Sequence, residues 1–141
     1  MVAHAIYDVL IIGAGQAGIP LAHDLAKAGM RVALAEEKHL GGSCVNFGCT
    51  PTKAVIASAR VAHLARRAAE FGLKVSNVEV DFPAVLDRAK RILMESRSGL
   101  EKDFEGTENP TLLRGSARIE GRDGDAFRGS FHEQFINFDA E

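Results

Sequence analysis

Two cysteines are the residues of this chain with the most reactive side chains. Cys44 and Cys49 are separated by four residues within the segment GGSCVNFGCTPTKA. Thr50 and Pro51 are typical of a helix N-terminus, the first as a capping residue and the second as the first helical residue. A helix N-terminus and the positive charge of Lys53 both stabilise a thiolate, so we expect a low thiol pKa. A dithiol of that kind could attack disulfides at neutral pH.

The cysteine spacing alone leaves three other interpretations open. The pair could be two inert buried thiols, the commonest state of intracellular cysteine. It could be half of a zinc site, but the chain offers no second pair of cysteines or histidines at metal-ligand spacing, so we expect no metal site. It could also be a structural disulfide, which is unusual in a reducing compartment.

A glycine-rich turn is the second feature with a chemical meaning. The residues GAGQAG place Gly13, Gly15 and Gly18 in the spacing G-x-G-x-x-G. Gly13 allows a tight turn from a strand into a helix, Gly15 lets the main chain approach a pyrophosphate, and Gly18 lets the helix lie close to the strand. The start of that helix attracts phosphate groups through its N–H groups and its dipole.

The elements around this turn complete a dinucleotide-binding unit. The pattern predicts a buried strand at Tyr7–Ile12, a helix over 17–28 that Gly29 ends, and a second buried strand over 31–35. Glu36, at the tip of the second strand, could accept hydrogen bonds from ribose hydroxyls and would repel a 2′-phosphate. This context predicts dinucleotide binding, and the alternative is an ordinary βαβ unit with a glycine turn.

Two longer helices are predicted after the cysteines. The helix that starts at Thr50 and Pro51 should continue to Phe71, with Gly72 as its stop. A further helix should run from Asp81 to about Phe104. Its apolar residues recur at helical spacing, so we expect one core-facing stripe, formed by Phe82, Leu86, Ala89, Leu93 and Leu100.

The last third of the chain is predicted to form strands. Residues 111–114 read as one strand, and residues 116–120 and 126–131 alternate around the turn Asp123-Gly124, which indicates a hairpin. Residues 134–138 would be its third strand.

Composition narrows the classes of function. The chain has 141 residues, is 46% apolar and carries a formal charge of -2, so it is long enough for one domain with a core. A chain with this charge has no excess of basic residues that would favour binding to nucleic acid or to an anionic membrane surface. No uncharged apolar stretch is long enough for a spanning helix, and no secretion signal precedes the first strand. We therefore expect a cytoplasmic protein with neither nucleic acid nor membrane as a partner.

The motifs taken together resemble one enzyme family. The turn GAGQAG, the acid Glu36 and the pattern GGSCVNFGC-x-P-x-K are similar to class I pyridine nucleotide-disulfide oxidoreductases, which include dihydrolipoamide dehydrogenase, glutathione reductase and mercuric reductase. The stretch from Cys49 to Gly72 is most similar to the mercuric reductase branch. The resemblance implies an α/β fold, a three-layer Rossmann-like FAD-binding domain of the ββα type with a β-meander that is incomplete at its C-terminus.

The resemblance also implies which residues bind FAD. Gly13, Gly15 and Gly18 match the pyrophosphate turn, and Glu36 matches the acid on the adenosine ribose. A second group of residues falls where the family contacts other parts of the cofactor: Gly42 and Ser43 in a loop that touches it, Lys53 near the flavin ring, and the main chain of Ala117 beside the adenine. Ser43 stands where the family usually has threonine and keeps the hydroxyl.

The catalytic residues implied by the resemblance are Cys44, Cys49 and Lys53. Cys44 matches the interchange thiol that attacks the substrate, and Cys49 matches the charge-transfer thiol that faces the flavin. Electrons would reach this pair from NAD(P)H through FAD, and the substrate would be a small-molecule disulfide or a soft metal ion. Thr52 replaces a lysine of glutathione reductases, and the carboxy-terminal cysteine pair of mercuric reductases is not in this sequence.

The resemblance finally implies that residues 1–141 are the amino-terminal part of a single FAD-binding domain. The NAD(P)-binding domain, the dimerisation domain of the family's homodimer and the histidine-glutamate pair supplied by the partner subunit would be absent, and turnover by this chain alone is not expected. Two alternatives stay open, namely an FAD-binding Rossmann module without a redox role and an inactive truncated fragment.

Overall fold

The computed structural model describes residues 7–133 and the chain forms two compact units within them. The first unit combines residues 7–42 with residues 100–133, and the second unit consists of residues 43–99. The elements in chain order are β1 (Val9–Ile12), α1 (Gly18–Lys27), β2 (Val32–Glu36), α2 (Gly42–Phe47), α3 (Cys49–Arg66), a 3₁₀ turn (Ala68–Phe71), α4 (Phe82–Phe104), β3 (Thr111–Asp123) and β4 (Ala126–Glu133).

The first unit contains a four-stranded open sheet with the order β1-β2-β3-β4. β1 and β2 are parallel, and the start of β3 continues the parallel sheet by pairing Thr111 with Ala33 and Arg114 with Glu36. From Gly115 onward β3 pairs with β4 in the antiparallel sense. The α/β fold class expected from the sequence is therefore confirmed.

The predicted break between the strands over 111–114 and 116–120 is wrong, because β3 runs through Gly115 without interruption. The strand stays extended because β2 pairs with its first part and β4 pairs with the rest. The hairpin prediction is confirmed, with Gly124 in the left-handed conformation at its turn. The predicted third strand, residues 134–138, lies outside the described residues.

The core of the first unit lies between the sheet and helix α1. Residues 32–35 of β2 are all buried, as expected for a strand that is covered on both faces. The other core residues come from the glycine turn, α1, the loop after β2 and the end of α4, namely Ala14, Ile19, Ala22, Leu40 and Phe104. This packing fixes α1 and β2 relative to the turn between them.

The ends of α1 follow the sequence prediction closely. The helix occupies Gly18–Lys27, and Gly29 follows it in the left-handed conformation. The N–H of Gly29 donates to the carbonyl of Ala26 and the N–H of Met30 donates to the carbonyl of Leu25, which closes the helix. Gly29 is therefore confirmed as the stop.

The second unit begins with two consecutive helices, of which only one is predicted from the sequence. α2 is missed because six residues are too few for a periodic apolar pattern. α3 begins at Cys49 with Gly48 as its N-cap, so the prediction that Thr50 caps the helix is wrong. α3 also ends earlier than predicted, at Arg66, and a 3₁₀ turn continues to Phe71 before Gly72 reverses the chain.

α4 starts where the sequence predicts, since the carboxylate of Asp81 accepts a hydrogen bond of 3.0 Å from the N–H of Ala84. The predicted core-facing stripe is only partly correct. Ala89 is buried, but Phe82 is 55% exposed and Leu86 is 48% exposed. Leu86 instead lines an open apolar groove with residues of α2 and α3, among them Phe47 and Ile56.

Candidate functional site

The glycine turn is shaped by contacts that only glycine permits. Gly13 follows β1 with φ +102°, and its N–H donates to the carbonyl of Ala35 at 2.8 Å. A Cβ atom at Gly18 would lie 2.0 Å from the carbonyl oxygen of Gly13, which is closer than any real contact. The first residue of α1 therefore lies directly on the turn, and the helix N-terminus is held beside the end of β1.

A second glycine pair brings the loop after β2 onto the turn. Gly42 has φ +58°, and a Cβ there would lie 2.9 Å from the Cα of Gly15. The N–H of Gly41 donates to the carbonyl of Ala14 at 2.7 Å, which fastens the loop in place. A Cβ at Gly15 would meet only the Cα of Gly42, at 4.0 Å, so the main chain of Gly15 can be approached closely.

Glu36 is held beside the same turn by two backbone donors. One carboxylate oxygen accepts a hydrogen bond of 2.8 Å from the N–H of Ala14, and the other accepts one of 2.8 Å from the N–H of Lys38. Each carboxylate oxygen has a further lone pair, and the side chain is only half-buried. The group can therefore accept additional hydrogen bonds from a ligand in the turn.

The start of α1 adds the electrostatic component. Its N-cap residue is Ala17, whose side chain has no acceptor for the amide groups of the first turn. The helix dipole places partial positive charge at this end. Open main chain at Gly15, a helix N-terminus and a fixed carboxylate together suit a ligand that joins a pyrophosphate to a ribose.

In the second unit, the two cysteines lie on consecutive helices that are joined by Gly48. Cys44 is in α2 and Cys49 is the first residue of α3. A Cβ at Gly48 would lie 3.3 Å from the carbonyl oxygen of Ser43 and 3.8 Å from the Cα of Cys44, so the link folds closely against the start of α2. Both cysteines are free thiols, and a side-chain hydrogen bond joins them.

That hydrogen bond raises the pKa of the Cys44 thiol above its ordinary value. The largest cause is the bond to Cys49, and partial burial and the negative charge on Cys49 add to it. The backbone N–H of Cys49 and the charge of Lys53 act in the opposite direction. The prediction of a lowered pKa is therefore wrong for Cys44. The side chain of Cys49 raises this pKa by more than the backbone N–H of Cys49 and the charge of Lys53 lower it.

The predicted site residues are divided between the two units. The first unit brings together Gly13, Gly15, Gly18, Glu36 and Gly42, and the second brings together Ser43, Cys44, Cys49 and Lys53. Ala117 belongs to the first unit and lies in β3, opposite Phe131 of β4. It is three residues beyond Arg114, the last β3 residue that pairs with β2.

Sequence reasoning missed several residues that shape these sites. The amide of Ala14 and the backbone of Gly41 act through main-chain atoms, so their side chains give no signal. Asn46 is a buried polar residue between the cysteines, and its side chain bonds to Arg97. A polar residue inside the motif CVNFGC was a signal for a structural role, but its partner is 51 residues away.

The part of the chain that the structure describes contains neither a metal-ligand cluster nor a membrane-spanning helix. Within residues 7–133, no three side chains of the histidine, cysteine, aspartate and glutamate types come together as a metal site. In the same part of the chain, no helix has both the length and the apolar character needed to cross a membrane.

Comparison with known proteins gives one family. The profile of the family described as pyridine nucleotide-disulphide oxidoreductase matches residues 7–114. The dihydrolipoyl dehydrogenase of Chlorobaculum parvum is 38% identical over 84% of this chain and 25% of its own length. The mercuric reductase of Lysinibacillus sphaericus is 32% identical over 80% of this chain and 21% of its own length.

A solved structure is similar in fold. It is the Cu(II) complex of the HOCl-induced flavoprotein disulfide reductase RclA from Escherichia coli, with a TM-score of 0.64 and 28% identity. The similarity covers 89% of this chain and 26% of that one. The chain thus spans about a quarter of the length of the proteins that it matches.

Proposed function

This chain belongs to the pyridine nucleotide-disulphide oxidoreductase family, and from that membership we propose that it binds FAD and carries the redox-active dithiol of a flavoprotein reductase. The observation that carries the proposal is the close folding of Gly48 against Cys44, which places Cys44 and Cys49 on two consecutive helices with their thiols near enough to interact. Two thiols in such contact can close into a disulfide. Cys49 is also exposed, which does not fit a pair of inert buried thiols.

The first unit offers the groups that FAD requires. The turn formed by Gly13, Gly15 and Gly18 would hold the pyrophosphate against the start of α1, and Glu36 would accept hydrogen bonds from the adenosine ribose. By the resemblance, Gly42 and Ser43 would contact the cofactor and the main chain of Ala117 would lie beside the adenine. When bound, FAD supplies two-electron redox chemistry.

The dithiol supplies electrons to the substrate in two exchange steps. The thiolate of Cys44 attacks one sulfur of a small-molecule disulfide, forms a mixed disulfide and releases the first substrate thiolate. Cys49 then attacks Cys44, closes the Cys44–Cys49 disulfide and releases the second thiolate. Two electrons pass to the substrate, and Lys53 keeps positive charge near the sulfurs that must become anionic.

The proposal includes the substrate, the electron donor and the assembly of the protein. The relatives include enzymes named for dihydrolipoyl groups and for mercuric ion, which supports a small-molecule disulfide or a soft metal ion as the substrate. NAD(P)H would be the electron donor of a cytoplasmic homodimer. The chain spans about a quarter of the length of its relatives, and we propose that these 141 residues with FAD alone do not oxidise NAD(P)H.

Counting thiols in the reduced and the oxidised chain tests the proposal. The reduced chain should contain two reactive thiols, and mild oxidation should remove both without forming dimers. Cys44→Ser and Cys49→Ser should each abolish the intramolecular disulfide. Two thiols that persist after oxidation in the folded protein would contradict the redox role and would leave a nucleotide-binding module as the remaining function.

A further inference from the structure

A buried amide lies in α2 between the two cysteines. Asn46 is 4% exposed, so its polar atoms are removed from water and require partners inside the protein. Its Oδ1 accepts a hydrogen bond of 2.9 Å from the Nε of Arg97, which is in α4. The contact cannot be inferred from the cysteine motif, because Arg97 lies 51 residues after Asn46 and outside that motif.

The segment that Asn46 belongs to depends on tertiary contacts for its position. α2 is six residues long, which is too short for a helix to be stable without tertiary contacts. Only Gly48 joins it to α3. The angle between the two helices sets the distance between Cys44 and Cys49, so whatever holds α2 also holds the sulfurs in reach of each other.

α4 holds each of the two helices through one arginine. Arg97 donates to the side chain of Asn46 in α2, and the Nη1 of Arg88 donates to the carbonyl of Ala54 in α3 at 3.0 Å. Ala54 is itself buried. The two contacts therefore connect α2 and α3, the helices that carry Cys44 and Cys49, to the same helix of 23 residues.

From this arrangement we infer that Arg97 is a positioning residue for the dithiol, holding α2 through Asn46 so that Cys44 stays within reach of Cys49. The inference rests on the proposed redox function. Oxidised glutathione serves as a probe: the two protein thiols lose two electrons and two protons, one disulfide forms in the protein, and two glutathione molecules are released. Thiols that are held together close more readily, because their effective concentration is higher.

The test compares variants that remove or keep one donor. Arg97→Met keeps the aliphatic stem but has no N–H, whereas Arg97→Gln keeps an N–H at the same distance from the backbone. In the full 141-residue chain, the equilibrium constant for disulfide closure in glutathione buffers should fall about tenfold in Arg97→Met, the effect expected for losing a hydrogen bond from a charged donor. It should fall by less in Arg97→Gln, because the neutral amide keeps a hydrogen bond to Asn46 that is weaker than the bond from a charged donor.

Controls separate positioning from general stability. Arg91→Met changes an exposed arginine of the same helix and should leave the constant unchanged. A merely structural role would lower the stability of the reduced and oxidised forms equally and would not move the constant. Asn46→Ala removes the acceptor and should give the same fall as Arg97→Met, so either variant that folds decides the question.

The outcomes distinguish this inference from the function on which it rests. A wild-type chain that closes its disulfide, together with an Arg97→Met constant within twofold of it, would overturn the role of Arg97 and leave the redox function standing. A wild-type chain that forms no disulfide at any glutathione ratio would overturn both.

Discussion

At the scale of single residues, the thiol pair determines how the site responds to pH. Cys44 keeps its proton because Cys49 lies beside it, and the charge of Lys53 offsets only part of this effect. Nucleophilic attack needs the thiolate, so Cys44 becomes reactive at higher pH than an unperturbed thiol would. Variants of Cys49 and Lys53 can show how much each residue shifts the pKa of Cys44.

Cys49→Ala should lower the pKa of Cys44. The substitution removes the sulfur that holds the proton and its negative charge, but it keeps the backbone N–H that favours the thiolate. The rate of Cys44 alkylation by iodoacetamide, followed against pH, should therefore have its inflection at lower pH than in the reduced wild-type chain.

Adding Lys53→Gln to Cys49→Ala should move that inflection back towards higher pH, because the positive charge near Cys44 is lost. An inflection that stays in place or rises in Cys49→Ala would show that the hydrogen bond between the thiols does not control Cys44.

Gly18 and Gly99 form a matched pair for testing the glycine turn. A Cβ at Gly18 would lie 2.0 Å from backbone of Gly13, whereas a Cβ at Gly99, inside α4, would meet open space. Gly18→Ala should lower the free energy of unfolding in urea by about 2 kcal/mol or more, because backbone must shift. Gly99→Ala should raise it by about 0.5 to 1 kcal/mol. Equal effects of the two substitutions would contradict the geometry of the turn.

At the scale of elements, β2 is held at its start by one side chain. The Oδ1 of Asn109 accepts a hydrogen bond of 2.9 Å from the N–H of Val32, and its Nδ2 donates one of 2.7 Å to the carbonyl of Met30. Val32 is fully buried, so its N–H would be left without this partner if the amide were removed.

Asn109→Ala should therefore lower the free energy of unfolding by about 2 kcal/mol, the cost of an unsatisfied buried donor. Asn77→Ala is the control, since Asn77 bonds to Glu79 in an exposed segment and should change stability by less than about 0.5 kcal/mol. A loss at Asn109 as small as that at Asn77 would mean that the start of β2 does not depend on this amide.

Some of the helices and strands could be predicted from the sequence and others could not. β1, α1 and β2 could be predicted because periodicity and glycine punctuation are local signals. α2 could not, because its six residues fold against partners such as Arg97 that are distant in sequence. The hydroxyl of Thr50 made it the predicted N-cap of α3. The close packing of Gly48 on Ser43 and Cys44 instead makes Gly48 the N-cap.

At the scale of the whole molecule, the two units divide the chemistry between them. The first unit holds the glycine turn and Glu36, which suit a dinucleotide, and the second holds the paired thiols. The identity of the ligand as FAD could not be read from spacing or periodicity, since a turn of this type accepts several dinucleotides. That step came from family resemblance, and the family match over residues 7–114 supports it.

A titration of the 141-residue chain with FAD measures whether the glycine turn and Glu36 bind the cofactor. We expect saturable binding of one FAD per chain. Glu36→Gln should weaken the affinity about tenfold, since the amide that replaces one carboxylate oxygen cannot accept a hydrogen bond. Glu37→Gln, which changes the exposed neighbouring acid, should bind FAD like the wild type. No saturable binding by the folded chain, or equal affinities for both variants, would contradict the claim that the glycine turn and Glu36 hold FAD.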